Sequence, residues 1–339
     1  MLSWIFLTTL SFATPFENYL QWVGQRRPIE NTVKPKYLFL NDIHKKTASL
    51  IKEKPGVIQP FVLGRSVKQR TIWGFRLRAP HRDVRVKVLV FAGLHPLEWV
   101  GSEVATKLIE ELVAHPIDHV ELTIIPVVNV DRRILVEKEL LKGEKQYRRT
   151  NAKHVDLNRD FEINRHPKSI WRHIIHDYYA VSPSPLSQPE TRALDSLGDQ
   201  ERFDAVVSLH CFGGYIFYPW SGIYAKTDDD AEFHKLANIM VQAQRDPFPY
   251  KAVQLSHWGF PFRAPGSEID HFYGKYGSKA FLIELTRSGL NPLSPKSFQE
   301  PFRWYNPKNP QKDIRRGVDS VLGLARYLGR EKWSLDKSP

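Results

Sequence analysis

Two residue types that bind metal ions stand three positions apart in the stretch His95-Pro-Leu-Glu98, which leads directly into the pattern of an amphipathic helix. Taken alone, Glu98 is equally well explained as an acid near a helix N-terminus, where a carboxylate complements the positive end of the helix dipole. His210, in Ser-Leu-His, is by itself more typical of a hydrogen-bonded core histidine. Glu284 lies in the apolar run Phe-Leu-Ile-Glu-Leu-Thr, where a carboxylate is costly to bury unless it has a partner or a role.

Together these four residues have the composition of a hydrolytic zinc centre. Catalytic zinc takes three protein ligands, commonly two histidines and a carboxylate, and keeps one position for water. His95 and Glu98 can reach one ion from a single turn, and His210 can supply the third bond from another strand. Zinc makes its bound water acidic, and a nearby carboxylate such as Glu284 can take the proton and pass it on. The residues are therefore compatible with one Zn²⁺ ion and with Glu284 as a nearby proton acceptor, a hypothesis that stands beside the structural explanations of each residue.

A polar, basic segment lies between these residues in YRRTNAKHVDLNRDF, residues 147 to 161. Its arginine and asparagine side chains are Arg148, Arg149, Asn151, Asn158 and Arg159. Arginine binds carboxylates with two parallel hydrogen bonds and can stabilise a developing oxyanion, as an amide hydrolase requires. From charge alone, a solvated basic loop explains the segment equally well.

The elements that must position these residues follow an alternating pattern. Continuous or alternating apolar runs predict buried strands at 84–93, 121–130, 203–212 and 278–286. Helical periodicity is found at 99–112, 187–199, 229–244 and 312–328. The alternation favours one α/β domain with a central mixed, mostly parallel sheet and helices on both faces. Since ligand-binding residues of such sheets gather beyond the carboxyl ends of the strands, the first, third and fourth runs should bring the four residues together.

With these segments in place, the sequence resembles the zinc carboxypeptidase family, which includes carboxypeptidases A, B and D and the bacterial murein peptide amidases. Five segments match in the family's order: the HxxE pair, R-x-N-x-x-x-x-D-x-N-R within residues 149 to 159, S-x-P-E-T-R at 187 to 192, Ser-Leu-His and Ile-Glu-Leu. The resemblance covers roughly residues 60 to 330. Two histidines and one glutamate are also the zinc ligands of carboxypeptidase A itself.

The resemblance implies a role for each matching residue. His95, Glu98 and His210 match the zinc ligands, and Glu284 matches the general base. Residues of the basic segment take the remaining roles: Arg149 polarises the scissile carbonyl, while Asn158 and Arg159 hold the terminal carboxylate of the substrate.

Some positions depart from the family pattern. Phe262 stands where many members carry a tyrosine that closes over the substrate, and its ring cannot donate a hydrogen bond. Ile269 matches the pocket position that separates apolar from basic terminal side chains, and isoleucine resembles the apolar choice. Asn129-Val-Asp-Arg132 replaces a common N-P-D-G turn, and His154 stands where glycine is frequent. Three charged residues lie close in sequence to this segment or to the last strand end and could meet a polar or zwitterionic side chain, although solvent-facing charges are the simpler explanation: Arg263, Glu268 and Arg287.

Composition limits the other classes of function. The 49 Lys and Arg against 37 Asp and Glu give a formal net charge of +12, but the basic residues are scattered, which argues against nucleic acid as a partner. Cys211 is the only cysteine, so an internal disulfide is excluded. Residues 2 to 13, LSWIFLTTLSFA, are too short to span a bilayer and end in small residues, as a signal peptide does.

We therefore expect export to the periplasm or the outside of the cell and four parts of the chain: a possible signal peptide at 1–13, an extension at 14–58, the catalytic domain at 59–330 and a tail at 331–339. The expected activity is zinc-dependent hydrolysis of an amide bond at or near the free C-terminus of a peptide. A murein peptide amidase acting on peptidoglycan-derived peptides is the alternative within this class. A zinc deacylase fits the matched segments less well, and a catalytically silent peptide-binding protein is the alternative from another class. The sequence leaves the oligomeric state open.

Overall fold

A computed structural model describes most of the chain. The described residues are Pro15, Asn18, Tyr19, 37–165, 181–259, 262–287 and 299–335. The predicted signal peptide at 1–13 lies outside them, as does the end of the predicted tail. The domain boundaries expected from the sequence stay predictions.

Eight strands of the described chain form one mixed sheet in the order β1-β2-β4-β3-β5-β8-β6-β7. Their bounds are Ile58–Arg65 (β1), Thr71–Leu77 (β2), Val86–Ala92 (β3), Val120–Ile125 (β4), Ala205–His210 (β5), Tyr215–Tyr218 (β6), Lys251–Gln254 (β7) and Lys279–Glu284 (β8). The central strands β4, β3, β5 and β8 are all parallel. Their carboxyl ends therefore meet at one edge of the sheet, which is the edge where the sequence places the candidate ligands.

Helices cover both faces of this sheet. The bounds are Leu40–Glu53 (α1), Trp99–Ala114 (α2), Val130–Leu141 (α3), Pro189–Glu201 (α4), Asp230–Ala243 (α5), Glu268–Tyr276 (α6), Pro301–Tyr305 (α7) and Gln311–Leu335 (α8). Alternate residues of β3 point to opposite faces, as the pleat requires. Val88 and Val90 belong to the hydrophobic cluster that includes α2, α5 and α8, whereas Leu89 and Phe91 belong to the cluster that includes α4 and α6. The predicted α/β architecture with a mixed sheet is confirmed.

The segment before β1 packs on the domain beside the candidate metal loop. Arg133 is buried, lies 3.5 Å over the ring of Trp99 and donates to the Leu38 carbonyl oxygen at 2.6 Å. The Leu40 amide donates to the Glu137 carboxylate at 2.6 Å, and Glu137 also pairs with Arg133 at 3.0 Å. Residues 38 to 40 are thus held by a buried ion pair next to the helix that begins directly after Glu98.

Helices of membrane-spanning length and hydrophobicity are absent from the part of the chain that the structure describes.

Candidate metal centre

The loop that carries His95 and Glu98 is fixed by two asparagine side chains. Gly93 follows β3 with φ of +69°, a left-handed conformation in which a side chain would be strained. Asn129 donates to the Leu94 carbonyl oxygen at 3.1 Å and caps α3. The turn at 129 to 132, which departs from the family pattern, therefore still provides a hydrogen bond that holds the metal loop. Asn306 donates to the Leu97 carbonyl oxygen at 2.6 Å and accepts from the amide of Trp99. Contacts distant in sequence therefore hold the metal loop on both sides.

His95, Glu98 and His210 converge at the carboxyl edge of the sheet, each with one ligand atom within 4.8 Å of the others. His95 Nδ1 lies 2.8 Å from Glu98 Oε1, and His210 Nδ1 lies 3.0 Å from Glu98 Oε2. The two Nδ1 atoms are 3.2 Å apart. Glu98 makes no capping hydrogen bond at the start of α2 and instead faces the histidines. Glu98 therefore stands at the helix entrance, as the helix-terminus explanation requires, but its carboxylate is directed at the two histidines.

The second nitrogen of each imidazole faces a buried carboxylate. His95 Nε2 lies 2.9 Å from Asp156 Oδ1, and His210 Nε2 lies 3.0 Å from Glu268 Oε1. Metal-binding histidines characteristically donate their free N–H to a carboxylate, which leaves the other nitrogen with its lone pair directed at the ion. The site thus directs two imidazole nitrogens and one carboxylate at a single point, and a buried carboxylate orients each imidazole ring from its far side. This ligand set fits a zinc ion.

Electrostatics agree with a cation at this point. Burial favours the neutral acid, yet His95 and His210 together hold the pKa of Glu98 well below its usual range. Burial also disfavours a charged imidazole, but Glu268 and Glu98 raise the pKa of His210. In the protein without metal the site therefore favours positive charge, and a bound cation would replace the imidazole proton.

Glu284 ends β8 directly opposite His210 in the register of the parallel pair β5 and β8. Its Oε2 atom is buried and has no hydrogen-bond partner among the described residues. Burial and the neighbouring Glu98 carboxylate raise the pKa of Glu284. A carboxylate whose basicity is raised and whose oxygen is unpaired is suited to accept a proton from a water molecule at the ligand cluster.

Arg149 is joined to the ligand cluster through Asp156. Its Nε donates to Asp156 Oδ2 at 2.8 Å, and the other Asp156 oxygen faces His95. Although burial opposes the charge, Asp156 holds the pKa of Arg149 above its ordinary value. The segment 147 to 161 is therefore not a solvated basic loop, since Asn151, Asn158 and Arg159 are buried as well.

Asn158 and Arg159 lie in a short 3-10 turn at residues 157 to 159 that follows Asp156. The Asn158 amide donates to Asp156 Oδ1 at 2.9 Å, and its side-chain oxygen accepts from the Glu268 amide at 3.2 Å. Arg159 Nη1 donates to the Asn158 carbonyl oxygen at 2.6 Å. Both residues thus stand within one hydrogen-bond network with the carboxylates behind the two histidines.

The two predicted pocket residues have different environments. Phe262 is partly buried and packs edge to face against Trp258 with 5.4 Å between ring centroids. Trp258 also meets Tyr215, the register partner of Glu284 across β6 and β8. Ile269 is fully buried and packs in the core on the α4 and α6 face of the sheet. An aromatic group therefore flanks the end of β8, and Ile269 belongs to the buried core on the same face of the sheet.

The charged residues near the pocket segment differ in their exposure. Glu268 was expected to face solvent, which is wrong, because it is fully buried against His210. The nearby Arg263 is half-buried over the Tyr224 ring at 3.8 Å, whereas Arg287 is exposed as expected. His154 has a φ of +60°, which gives a physical reason why glycine is frequent at its position.

Comparison with protein families agrees with this geometry. The family model described as zinc carboxypeptidase matches residues 43–305. Carboxypeptidase A6 of Mus musculus is 24% identical over 299 residues, which cover 84% of this chain and 68% of that protein.

Solved structures show the same fold. The carboxypeptidase A of Helicoverpa armigera superposes with a TM-score of 0.72 at 19% identity, over 93% of this chain and 80% of that one. A metallo-carboxypeptidase from Pseudomonas aeruginosa, solved with (2-guanidinoethylmercapto)succinic acid, superposes with a TM-score of 0.54 at 21% identity, over 84% of this chain and 68% of that one.

Proposed function

Since the chain belongs to the zinc carboxypeptidase family, whose members are zinc metallopeptidases, we propose that it hydrolyses an amide bond at or near the free C-terminus of a peptide. His95, Glu98 and His210 are the proposed ligands of its zinc ion. Zinc in such a site acts as a Lewis acid and makes a water molecule acidic. The observation that carries the proposal is the position of Glu284, whose buried, unpaired oxygen stands beside this cluster of three ligands.

Each remaining residue has a proposed step. Glu284 takes a proton from the attacking water and returns it to the leaving amine. Arg149 donates to the oxygen that becomes negative as the carbonyl is attacked, and Asp156 holds its guanidinium in place from the side away from the substrate. Asn158 and Arg159 bind the terminal carboxylate of the peptide, which sets the position of the scissile bond.

The aromatic group around Phe262 and the fully buried Ile269 support an apolar terminal side chain in the substrate. Phe262 contributes ring packing but has no hydroxyl group, so Asn158 and Arg159 provide the hydrogen bonds to the substrate carboxylate.

A peptidoglycan-derived peptide is the second candidate substrate. The formal net charge of +12 favours association with an anionic cell-wall polymer, and export would place the enzyme there. A silent binding protein is disfavoured because the three ligands, Glu284 and Arg149 are all present and brought together.

A substrate panel tests the proposal. The zinc-loaded protein is incubated with peptides that end in a free carboxylate, the same peptides with an amidated C-terminus, and purified muropeptides, and the products are identified by mass spectrometry. Release of the last residue from free peptides alone supports the carboxypeptidase, while cleavage of muropeptides alone favours the second candidate. Cleavage of amidated and free peptides at equal rates would rule out the carboxylate-binding roles of Asn158 and Arg159.

A further inference from the structure

We propose that Glu268 is a positioning residue for zinc: it orients His210 from behind and thereby tightens metal binding. This inference rests on the proposed zinc site at His95, Glu98 and His210. Glu268 is the first residue of α6, and its Oε1 atom lies 3.0 Å from His210 Nε2. Both side chains are buried, with Glu268 at 0% exposure, so water does not compete for this contact.

Other contacts fix the Glu268 carboxylate itself. Ser267, the N-cap of α6, donates to Glu268 Oε2 at 3.2 Å. The Glu268 amide donates to Asn158 Oδ1 at 3.2 Å. The start of a helix also stabilises a negative charge in its first turn. The carboxylate is therefore held in place before any metal binds, as an orienting group must be.

The orientation matters because His210 can bind metal only through Nδ1. The Nδ1 atom lies 3.0 Å from Glu98 Oε2. The Nε2 atom lies 3.0 Å from Glu268 Oε1 and 2.8 Å from the Ser208 hydroxyl oxygen. When Nε2–H donates to the Glu268 carboxylate, the lone pair lies on Nδ1 and the imidazole becomes a better ligand. The Ser208 hydroxyl alone would orient the ring, but it carries no negative charge and can also act as a donor.

The arrangement mirrors the one at His95, where Asp156 occupies the same place behind the ring. Asp156 belongs to the segment that also provides Asn158 and Arg159, whereas Glu268 comes from a different helix more than a hundred residues later. Both histidines of the site are therefore backed by buried carboxylates of independent origin. Two such groups make the ligand set more electron-rich than one would.

Zinc affinity of the full chain tests the role of Glu268. The dissociation constant is measured by competition with a chromophoric chelator for the wild type, Glu268→Gln and Glu268→Ala. We expect about tenfold weaker binding for Glu268→Gln, which keeps an acceptor without the charge, and up to about a hundredfold for Glu268→Ala. The visible spectrum of the cobalt-substituted protein should change in the same order, since it reports the ligand geometry.

Asp270→Asn is the matched control. Asp270 is also a fully buried acid in the first turn of α6, but it accepts from the Ser221 and Gly222 amides and from Asn164. Its replacement should leave the zinc dissociation constant within about twofold of wild type, a margin small beside the effect of removing an orienting carboxylate. Circular dichroism confirms folding, and the isosteric Glu268→Gln carries the test if the alanine variant does not fold.

Three outcomes overturn the inference. Wild-type zinc affinity and an unchanged cobalt spectrum in both Glu268 variants would show that the carboxylate does not act on the metal. Unchanged zinc affinity with a higher KM for peptides ending in lysine or arginine would instead make Glu268 a substrate-binding residue. A wild-type chain that takes up no zinc would refute the proposed function together with this inference. The first outcome leaves the proposed function intact, and the second leaves the peptidase activity intact but replaces the apolar terminal side chain by a basic one.

Discussion

Asp156 contacts both a proposed zinc ligand and the proposed oxyanion-binding arginine, so its loss should affect the metal and the arginine together. It is fully buried and accepts from Arg149 Nε at 2.8 Å and from the Asn158 amide at 2.9 Å, while its Oδ1 lies 2.9 Å from His95 Nε2. Asp156→Asn keeps the shape but removes the charge and turns one acceptor into a donor. Two separate measurements should therefore change.

The first is zinc affinity. Loss of a carboxylate behind a metal-binding histidine typically weakens metal binding by about 10- to 100-fold. This corresponds to about 1.4 to 2.8 kcal/mol of binding free energy. The second is the stability of the metal-free protein. Breaking a buried ion pair costs about 3–5 kcal/mol, and we expect the lower end because the Arg149 side chain keeps 11% exposure.

Chelator competition measures the zinc affinity, and chemical denaturation in the presence of a chelator measures the free energy of unfolding. Asp131→Asn is the control, because Asp131 is a buried acid whose partners are Arg70 and the Lys68 amide and not a histidine of the site. It should lose stability without losing zinc affinity. An Asp156→Asn protein with unchanged zinc affinity would refute the reasoning about the groups behind the histidines.

Three further predictions concern the substrate grip and the fold. Phe262→Tyr should lower the KM for peptides with a free carboxylate about fivefold, because one added hydrogen bond contributes about 1 kcal/mol of binding free energy. An unchanged KM in steady-state assays would place the ring away from the carboxylate. Asp195→Asn should cost about 1–2 kcal/mol of unfolding free energy at neutral pH. Burial alone would raise the pKa of Asp195, but hydrogen bonds with His271 and two further side chains of α6 outweigh burial and bring the pKa below its usual range. That contribution is fully present above about pH 4 and is lost only as pH falls through the low pKa of the folded state, so urea titrations in which the difference from wild type has already disappeared at pH 4 would contradict it. Gly101→Ala should destabilise the protein by about 1–3 kcal/mol and weaken zinc binding, because the new methyl group would meet the Leu209 carbonyl oxygen at 2.8 Å. A thermal melt equal to that of the wild type would show that α2 can move aside.

The sequence predicted the central strands and not the outer ones. Strands β3, β4, β5 and β8 are buried on both faces, so their apolar runs are continuous and easily recognised. β1 contains Pro60 and is exposed along much of its length, and β6 and β7 have four residues each. Such short or edge strands depend on pairing partners that the sequence does not reveal.

At the site, the sequence predicted which residues converge but not what holds them. His95, Glu98, His210 and Glu284 follow buried strands, and parallel strands bring such ends together. Glu268 was missed because a serine followed by acids is how an ordinary helix begins, and the direction of the carboxylate depends on the position of β5. Asp156 was visible within the D-x-N-R segment, although its contact with His95 is a long-range one.

Turnover by a Glu284→Gln protein that still holds zinc tests the central claim most directly. Metal content is measured by mass spectrometry, and release of the C-terminal residue from a free peptide is followed by liquid chromatography for both proteins. Glu284 is not among the three clustered ligands, so one zinc ion per chain is expected in each. Loss of the general base should lower the turnover rate by about 10²- to 10⁴-fold. A Glu284→Gln protein that turns over its substrate as fast as the wild type would contradict the account.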